Sequence, residues 1–308
     1  MKLPASAALC DAIEIGALQL GMALSPENVL AEVFANSTNE SDRNLVFETF
    51  LVATLRAKAS PNGYPFSATP RNLSPKPIGR AFSPYLFLLL GVSAAQRGML
   101  PNQTLARKFR REFEDFVCWV LRRCGFLAEV LSEPRTHRGL DRSLQPALLQ
   151  IAERFGEEAF LNETKFAPDD NDLDVDVVAT PAAGDRTIGG WPTLLVQCAT
   201  GPVQQLHNKI LEVSNTFCSV WNRGFNRKAT LKGGASPDEL LQLEPVFWGR
   251  LHEAGFVLHR MRLVNLALRR FPRHSHLRAR RLPARVRELE KALRAEVGEF
   301  DWRSGWRD

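Results

Sequence analysis

The chain is short of several things that would have named its class at once. Its five cysteines, Cys10, Cys118, Cys124, Cys198 and Cys218, form no CxxC pair and are odd in number. That argues against a zinc knuckle or a disulfide framework and fits reduced thiols in the cytoplasm. No apolar run approaches the ~20 residues that cross a bilayer, and the most apolar, Tyr85 to Val92, is far shorter. Asp11 and Glu14 break the apolar start too early for an export segment. No membrane role is expected. Gly233-Gly234 lacks the Gly-Lys-Ser/Thr ending of a phosphate loop, and His137, His207, His252 and His259 show no HExxH spacing. Ser/His/Asp catalysis finds no local support either.

What is present is unevenly distributed. Residues 201–308 carry 20 Lys+Arg against 11 Asp+Glu, a surplus of nine, while the first 200 carry 20 against 23. A basic final third on a near-neutral body suggests a polyanionic partner. Within it, eight arginines and no acid fall between Arg269 and Arg287: Arg269, Arg270, Arg273, Arg278, Arg280, Arg281, Arg285 and Arg287. Guanidinium groups fork onto phosphate oxygens, so this segment is a candidate nucleic-acid contact, or else a basic face answered by acids elsewhere.

The first hundred residues read as helical. Ser25-Pro26-Glu27 and Ser83-Pro84 are helix starts, and Ser41-Asp42 opens another helix. Residues 59–83, rich in Pro, Ser and Asn, read as a loop. Asn102 to about Cys124 is a long helix with Phe109, Phe113, Phe116, Val117, Val120 and Leu121 on one face, stopped at Gly125. A helix over about 143–155 follows.

The period then changes to alternation, with Leu173, Val175 and Val177 facing one way and Asp172, Asp174 and Asp176 the other. Gly184 to Gly190 is a turn, Leu194-Leu195-Val196 a strand centre, and Gly201-Pro202 starts a helix. Beyond a Gly/Lys-rich loop at 228–234, Pro245–Trp248 and Phe256–Leu258 are strand candidates. Arg260–Arg270 and Pro283–Val297 read as helices.

Helix, strand with a terminal aspartate, turn, second strand with a polar residue near its end, then helix: over roughly residues 105–215 this order resembles the PD-(D/E)xK, or restriction-endonuclease-like, nuclease superfamily. The resemblance implies an α/β fold with a central mixed sheet flanked by helices. Its core would span 101–258, between a helical N-terminal region (1–100) and a basic helical tail (259–308). It also implies Mg²⁺- or Mn²⁺-dependent hydrolysis of DNA.

Asp176 takes the place of the first metal-binding aspartate, Gln197 that of the second acid, and Glu114 that of the ancillary acid on the preceding helix. Ala199 stands where the lysine belongs, and Lys209 on the next helix is its replacement. Asp176, Glu114 and the Cys198 carbonyl would be the metal ligands. Oxygen donors suit a hard cation that neutralises phosphate and lowers the pKa of a water.

The Gln-Cys-Ala-Thr-Gly wording is similar to that of bacterial anti-phage defence proteins, with further protein subunits or a homo-oligomer as partners. Two alternatives stay open. One is a catalytically degenerate DNA-binding or adaptor subunit; the other is a structural protein whose charges serve oligomer contacts.

Overall fold

The structure, a computed structural model, describes residues 5–79, 81–157, 160–162, 165–166, 172–182, 192–201, 203–213, 215–223, 230–241, 245–269 and 281–305. Helices α1 (Ala5–Leu20), α2 (Pro26–Phe34) and α3 (Glu40–Ala59) come first, followed by a hairpin of β1 (Phe66–Thr69) and β2 (Asn72–Pro75). Then come α4 (Pro84–Ala95), α5 (Gln103–Arg123), β3 (Phe126–Val130), α6 (Leu144–Phe155), β4 (Phe160–Leu161), β5 (Val177–Pro181) and β6 (Thr193–Cys198). The chain continues through α7 (Val203–Glu212), α8 (Asn215–Ser219), β7 (Trp221–Arg223), β8 (Thr230–Ala235) and α9 (Pro245–Ala254). It ends with β9 (Phe256–Leu258), α10 (Arg260–Leu268) and α11 (Ala284–Ala295).

The helix starts follow their capping chemistry. Ser25 Oγ accepts from Asn28 N and Asn28 Oδ1 accepts from Ser25 N, closing a reciprocal cap on α2. Ser83 caps α4, whose residues are buried almost throughout, so it is helical without a polar face. Asn102 Oδ1 caps α5 through Thr104 N and Leu105 N, and Gly125, at φ 93°, ends it in a conformation that suits glycine.

One mixed α/β sheet organises the middle of the chain, in the order β3-β5-β6-β8-β9. The pairs β3/β5 and β5/β6 are antiparallel; β6/β8 and β8/β9 are parallel. One face, through Val177, Ala179, Val196, Cys198, Ala235 and Leu258, joins a core with α1, α4, α5, α10 and α11. On the other face Val178 and Leu195 pack with α6 and Phe217, while Ala199 and Val257 pack with Leu206, Ile210 and Leu251 of α7 and α9. The first core draws on all three sequence segments: Leu9 and Phe50, Phe113 and Val196, Val264 and Leu289.

Several local expectations are corrected. The stretch within 59–83 holds the β1/β2 hairpin rather than loop alone. Pro245–Trp248 begins α9 and is not a strand, whereas Phe256–Leu258 is. From Thr230 on, the Gly/Lys-rich stretch is β8, an interior strand of the sheet, and residues 228–229 lie outside the described residues. Its glycines are there because of close approach: a Cβ on Gly233 would stand 2.5 Å from the Phe256 ring, and one on Gly234 2.5 Å from Leu206 Cδ1. The turn expected at Gly184 to Gly190 lies outside the described residues.

Asp11 and Glu14, the two acids in the apolar start, are fully buried. Asp11 takes both Nη atoms of Arg260 at 2.7 Å, Arg56 Nη1 at 2.5 Å, and Arg97. Glu14 accepts from Arg56 Nη1 at 2.8 Å and from the hydroxyls of Tyr64 and Tyr85 at 2.7 Å. Burial works to raise the Asp11 carboxyl, but Arg260, Arg56 and Arg97 together hold it well below the ordinary carboxylate range. Arg260 thus belongs to the core, not to a basic helix surface.

Removing one partner of a buried ion network strands the others. Arg56→Ala should therefore cost about 3–5 kcal/mol in urea unfolding. Arg303→Ala, which breaks a half-exposed pair with Glu32, should cost under about 1 kcal/mol. Equal losses at the two positions would remove the network from the stability of the fold.

Candidate active site

Asp176 sits where three strands meet. Its N–H donates to Val196 O at 3.1 Å and its carbonyl accepts from Leu131 N at 2.8 Å, so the residue is held between β6 and the end of β3. The preceding residues are not the alternating strand expected from Asp172-x-Asp174-x-Asp176. Leu173 and Asp174 have φ of 55° and 58°, Asp174 N donates to Asp172 Oδ1, and Val175 N donates to Asp172 O. This is a turn with two non-glycine residues in the left-handed region, a conformation that costs of order 1–3 kcal/mol per residue. Burial of Leu173 and Val175 helps to hold it.

The Asp176 carboxylate is 8% exposed, and its Oδ2 accepts from Cys198 N at 2.6 Å. Burial raises it to about 6; the Cys198 N–H and Lys209 pull it down, and Asp172 pushes it up. Glu114, from the inner turns of α5, arrives at the same place. Its Oε2 accepts from Ser132 Oγ and lies 3.6 Å from Arg138 Nη2. Burial and then the charge of Asp176 push its carboxyl up to about 8. The remaining oxygens, Asp176 Oδ1 and Glu114 Oε1, make no hydrogen bond among the described residues.

Gln197, one residue before the end of β6, lies on the same sheet face as α7, and Lys209 Nζ contacts its Oε1 at 3.5 Å. Ala199 is 1% exposed and packs on Leu206 and Ile210, so a lysine there would have to enter the α7 core. The four side chains chosen from the sequence, Glu114, Asp176, Gln197 and Lys209, come together at one end of the sheet. Cys198 contributes a backbone N–H. Its thiol is buried and pushed far up by burial, with Asp176 and Glu114 adding to the effect, so it is no thiolate nucleophile.

Sequence reasoning missed the basic side of this cluster. The stretch between β3 and α6 carries Arg135 and Arg138 on one 3₁₀ turn, Arg135–Arg138. Arg138 is nearly buried and grips Asp115 through Nε at 3.0 Å and Ser132 O through Nη1 at 2.8 Å. Arg135 is 2% exposed; its Nη2 has no hydrogen-bond partner among the described residues. The Arg-Thr-His-Arg spacing was the available signal, since residues three apart share a side of such a turn.

As donors for a divalent cation, the cluster offers two carboxylates, the Gln197 amide oxygen and the Cys198 carbonyl. All are hard oxygen ligands of the type Mg²⁺ takes. Among the described residues no three His, Cys, Asp or Glu side chains gather closely enough to hold a metal. The fit therefore rests on two acids completed by neutral oxygens, and on the charge of Asp176 acting on Glu114, which a cation would relieve.

The arginine segment divides. Arg270, Arg273, Arg278 and Arg280 lie outside the described residues. Arg269, Arg281 and Arg287 are exposed. Arg285 is half-buried against α5, with Nη2 3.3 Å from Asp115 Oδ2, Nε 3.9 Å from Glu112 Oε2 and Nη1 3.1 Å from His137 Nδ1. At Arg285, then, acids distant in sequence do answer the basic run.

No family model, no curated protein and no solved structure matches this chain.

The raised carboxyls carry a sign for stability. Ordinary values are 3.8 for Asp and 4.5 for Glu, so between these and the folded values the folded state holds protons that the unfolded chain has released. Their contribution is fully present below the ordinary values and is lost as pH rises through about 6 for Asp176 and about 8 for Glu114. In metal-free buffer, unfolding free energy should fall from pH 5 to pH 8, and Glu114→Gln should flatten most of the fall above pH 6. An unchanged slope in that variant would mean that Glu114 is not the titrating group.

Proposed function

We propose that the chain is a metal-dependent nuclease of the PD-(D/E)xK kind that hydrolyses phosphodiester bonds in DNA, within a bacterial defence system. The observation that carries this is the meeting of Glu114, Asp176, Gln197 and Lys209, drawn from α5, the start of β5, the end of β6 and α7. The order of helix, strands and helix around them is the one the resemblance implies, within a mixed sheet flanked by helices. Asp176 and Glu114 would hold the Mg²⁺, with the Gln197 and Cys198 oxygens completing the shell. When bound, the cation neutralises phosphate charge and lowers the pKa of a water.

The chain's own groups supply the rest. The Cys198 N–H fixes one oxygen of Asp176, leaving the other to bind. Ser132 and Arg138 do the same for Glu114. Lys209, tethered by Gln197, places a positive charge where the attacked phosphate gains negative charge, which is electrostatic catalysis from a partly dehydrated site. Arg138 adds a second fixed positive charge beside Glu114. A catalytically degenerate adaptor is the second reading, and Ala199 is the residue that favours it.

With Mg²⁺ or Mn²⁺ the purified protein should cut or nick DNA, and with EDTA it should not. Asp176→Asn should abolish cutting. The residue is buried, so the isosteric amide is the appropriate change. Lys209→Ala should slow cutting by roughly 10²-fold or more while DNA affinity in EDTA holds. A wild type inactive on single- and double-stranded DNA with both metals would leave the adaptor reading in front.

Binding should also weaken steeply with salt, at about −0.9 in log–log slope per phosphate neutralised. Arg278, Arg280 and Arg281 changed together to Ala should flatten that slope by up to about three units. An unchanged slope would turn the arginine segment toward protein instead.

A further inference from the structure

A second site lies at the same end of the sheet, beyond β9. Register runs from Cys198 to Ala235 and from Ala235 to Leu258, and Asp176 lies one strand further, so His259 stands three strand spacings, ~14 Å, from Asp176. There a cavity of about 380 Å³ opens between α9, α10 and the end of α3. Ligand sites of sheets with parallel strands favour the region outside the strands' carboxyl ends, and the volume falls in the usual range for small-ligand pockets.

The lining has a consistent chemistry. Trp248 is half-buried, and its ring is met by His259 at 5.8 Å and 70° and by His252 at 5.3 Å. The Arg262 guanidinium lies 5.6 Å from the Trp248 ring centroid and is steadied by donation to Val257 O at 2.7 Å. His259 is 3% exposed and its Nδ1 makes no hydrogen bond; Glu239 Oε1 stands 3.7 Å away. Burial, then Arg262 and Arg260, lower the imidazole to about 3. It is therefore neutral near pH 7 and forms no ion pair with Glu239. Asn265 donates Nδ2 to Ala59 O, which leaves its Oδ1 as an acceptor. No carboxylate lines the cavity among the described residues.

We propose that this cavity receives an unstacked nucleobase of the strand held at the candidate active site, stacked on Trp248, with Arg262 toward the adjoining phosphate. The proposal rests on the nuclease reading for the position of that strand. A π face accepts any base, a neutral imidazole and an amide oxygen can meet a base edge, and a guanidinium answers the phosphate. Roughly four nucleotides at 3.4 Å rise span the ~14 Å from Asp176, so the bound base would lie a few positions from the scissile bond.

The test uses the full chain in EDTA and a short single-stranded oligonucleotide bearing 2-aminopurine. Wild type should bind with quenching of the 2-aminopurine, and Trp248→Ala should weaken binding roughly 5- to 150-fold, the range for loss of one base–aromatic stack. Trp248→Phe should retain most of the affinity. If Trp248→Ala fails to fold, Arg262→Gln at an exposed position supplies the same comparison. Unchanged affinity and quenching in these variants would overturn the proposal, and so would equal competition by a free mononucleotide, which would make the cavity a nucleotide site.

A parallel cleavage assay with Mg²⁺ separates the two claims. Cleavage with no role for Trp248 sinks the base pocket alone. Trp248-dependent binding without cleavage sinks the nuclease reading and keeps a strand-binding pocket.

Discussion

The fold around the candidate site depends on one short hydrogen bond, from Cys198 N–H to the carboxylate of Asp176. It ties the first residue before β5 to the last residue of β6, in the register that pairs Val177 with Val196. That register sets which way both strands face. It turns Val177 and Val196 toward α5 and puts Gln197 on the side of α7, within reach of Lys209. The strained turn at Leu173 and Asp174 delivers Asp176 to this position, and its cost is understandable only if the carboxylate's placement matters.

Two groups of buried acids in the same molecule show opposite electrostatics. Asp11 is surrounded by Arg56, Arg97 and Arg260, and Glu14 by Arg56 and two tyrosine hydroxyls; Asp11 is held well below the ordinary range. The protein therefore has the means to neutralise buried carboxylates where only architecture is required. At Glu114 and Asp176 it does not do so fully. Arg138 and Lys209 approach, yet both carboxyls remain raised, Glu114 by burial and then Asp176, and Asp176 by burial and then Asp172. Under-neutralised acids facing one another at a sheet end are what a cation-binding or proton-handling site requires.

Much of this was legible in the sequence, for identifiable reasons. The amphipathic face of α5, the buried α4 and the caps at Ser25, Ser83 and Asn102 are local signals that tertiary packing did not override. Asp176, Gln197, Lys209 and Glu114 were chosen through a resemblance in the order of strands and helices, and the structure puts Lys209 against Gln197 and the Cys198 N–H on Asp176 because strands and helices fix spacing. The failures have the opposite cause. β8 carries glycines where Phe256 and Leu206 press against it, so composition imitated a loop. The run Asp172 to Val175 imitated a strand because alternation appears in any polar–apolar turn of the right length. Arg138 and the buried Arg260 were hidden because their partners, Asp115, Glu114 and Asp11, are distant in sequence. A basic count alone cannot separate arginines that meet phosphate from those that meet a carboxylate.

The most direct test of the Glu114–Asp176 pair as a cation centre is thermal unfolding of the full chain with and without Mg²⁺, at pH 5.5 and pH 8. Binding to the folded state alone raises the midpoint in proportion to affinity, and the ligands must be ionised to bind. Mg²⁺ should raise the midpoint clearly at pH 8, much less at pH 5.5, and not at all in Asp176→Asn. A midpoint indifferent to Mg²⁺ and Mn²⁺ at both pH values, or one raised equally in Asp176→Asn, would contradict the assignment.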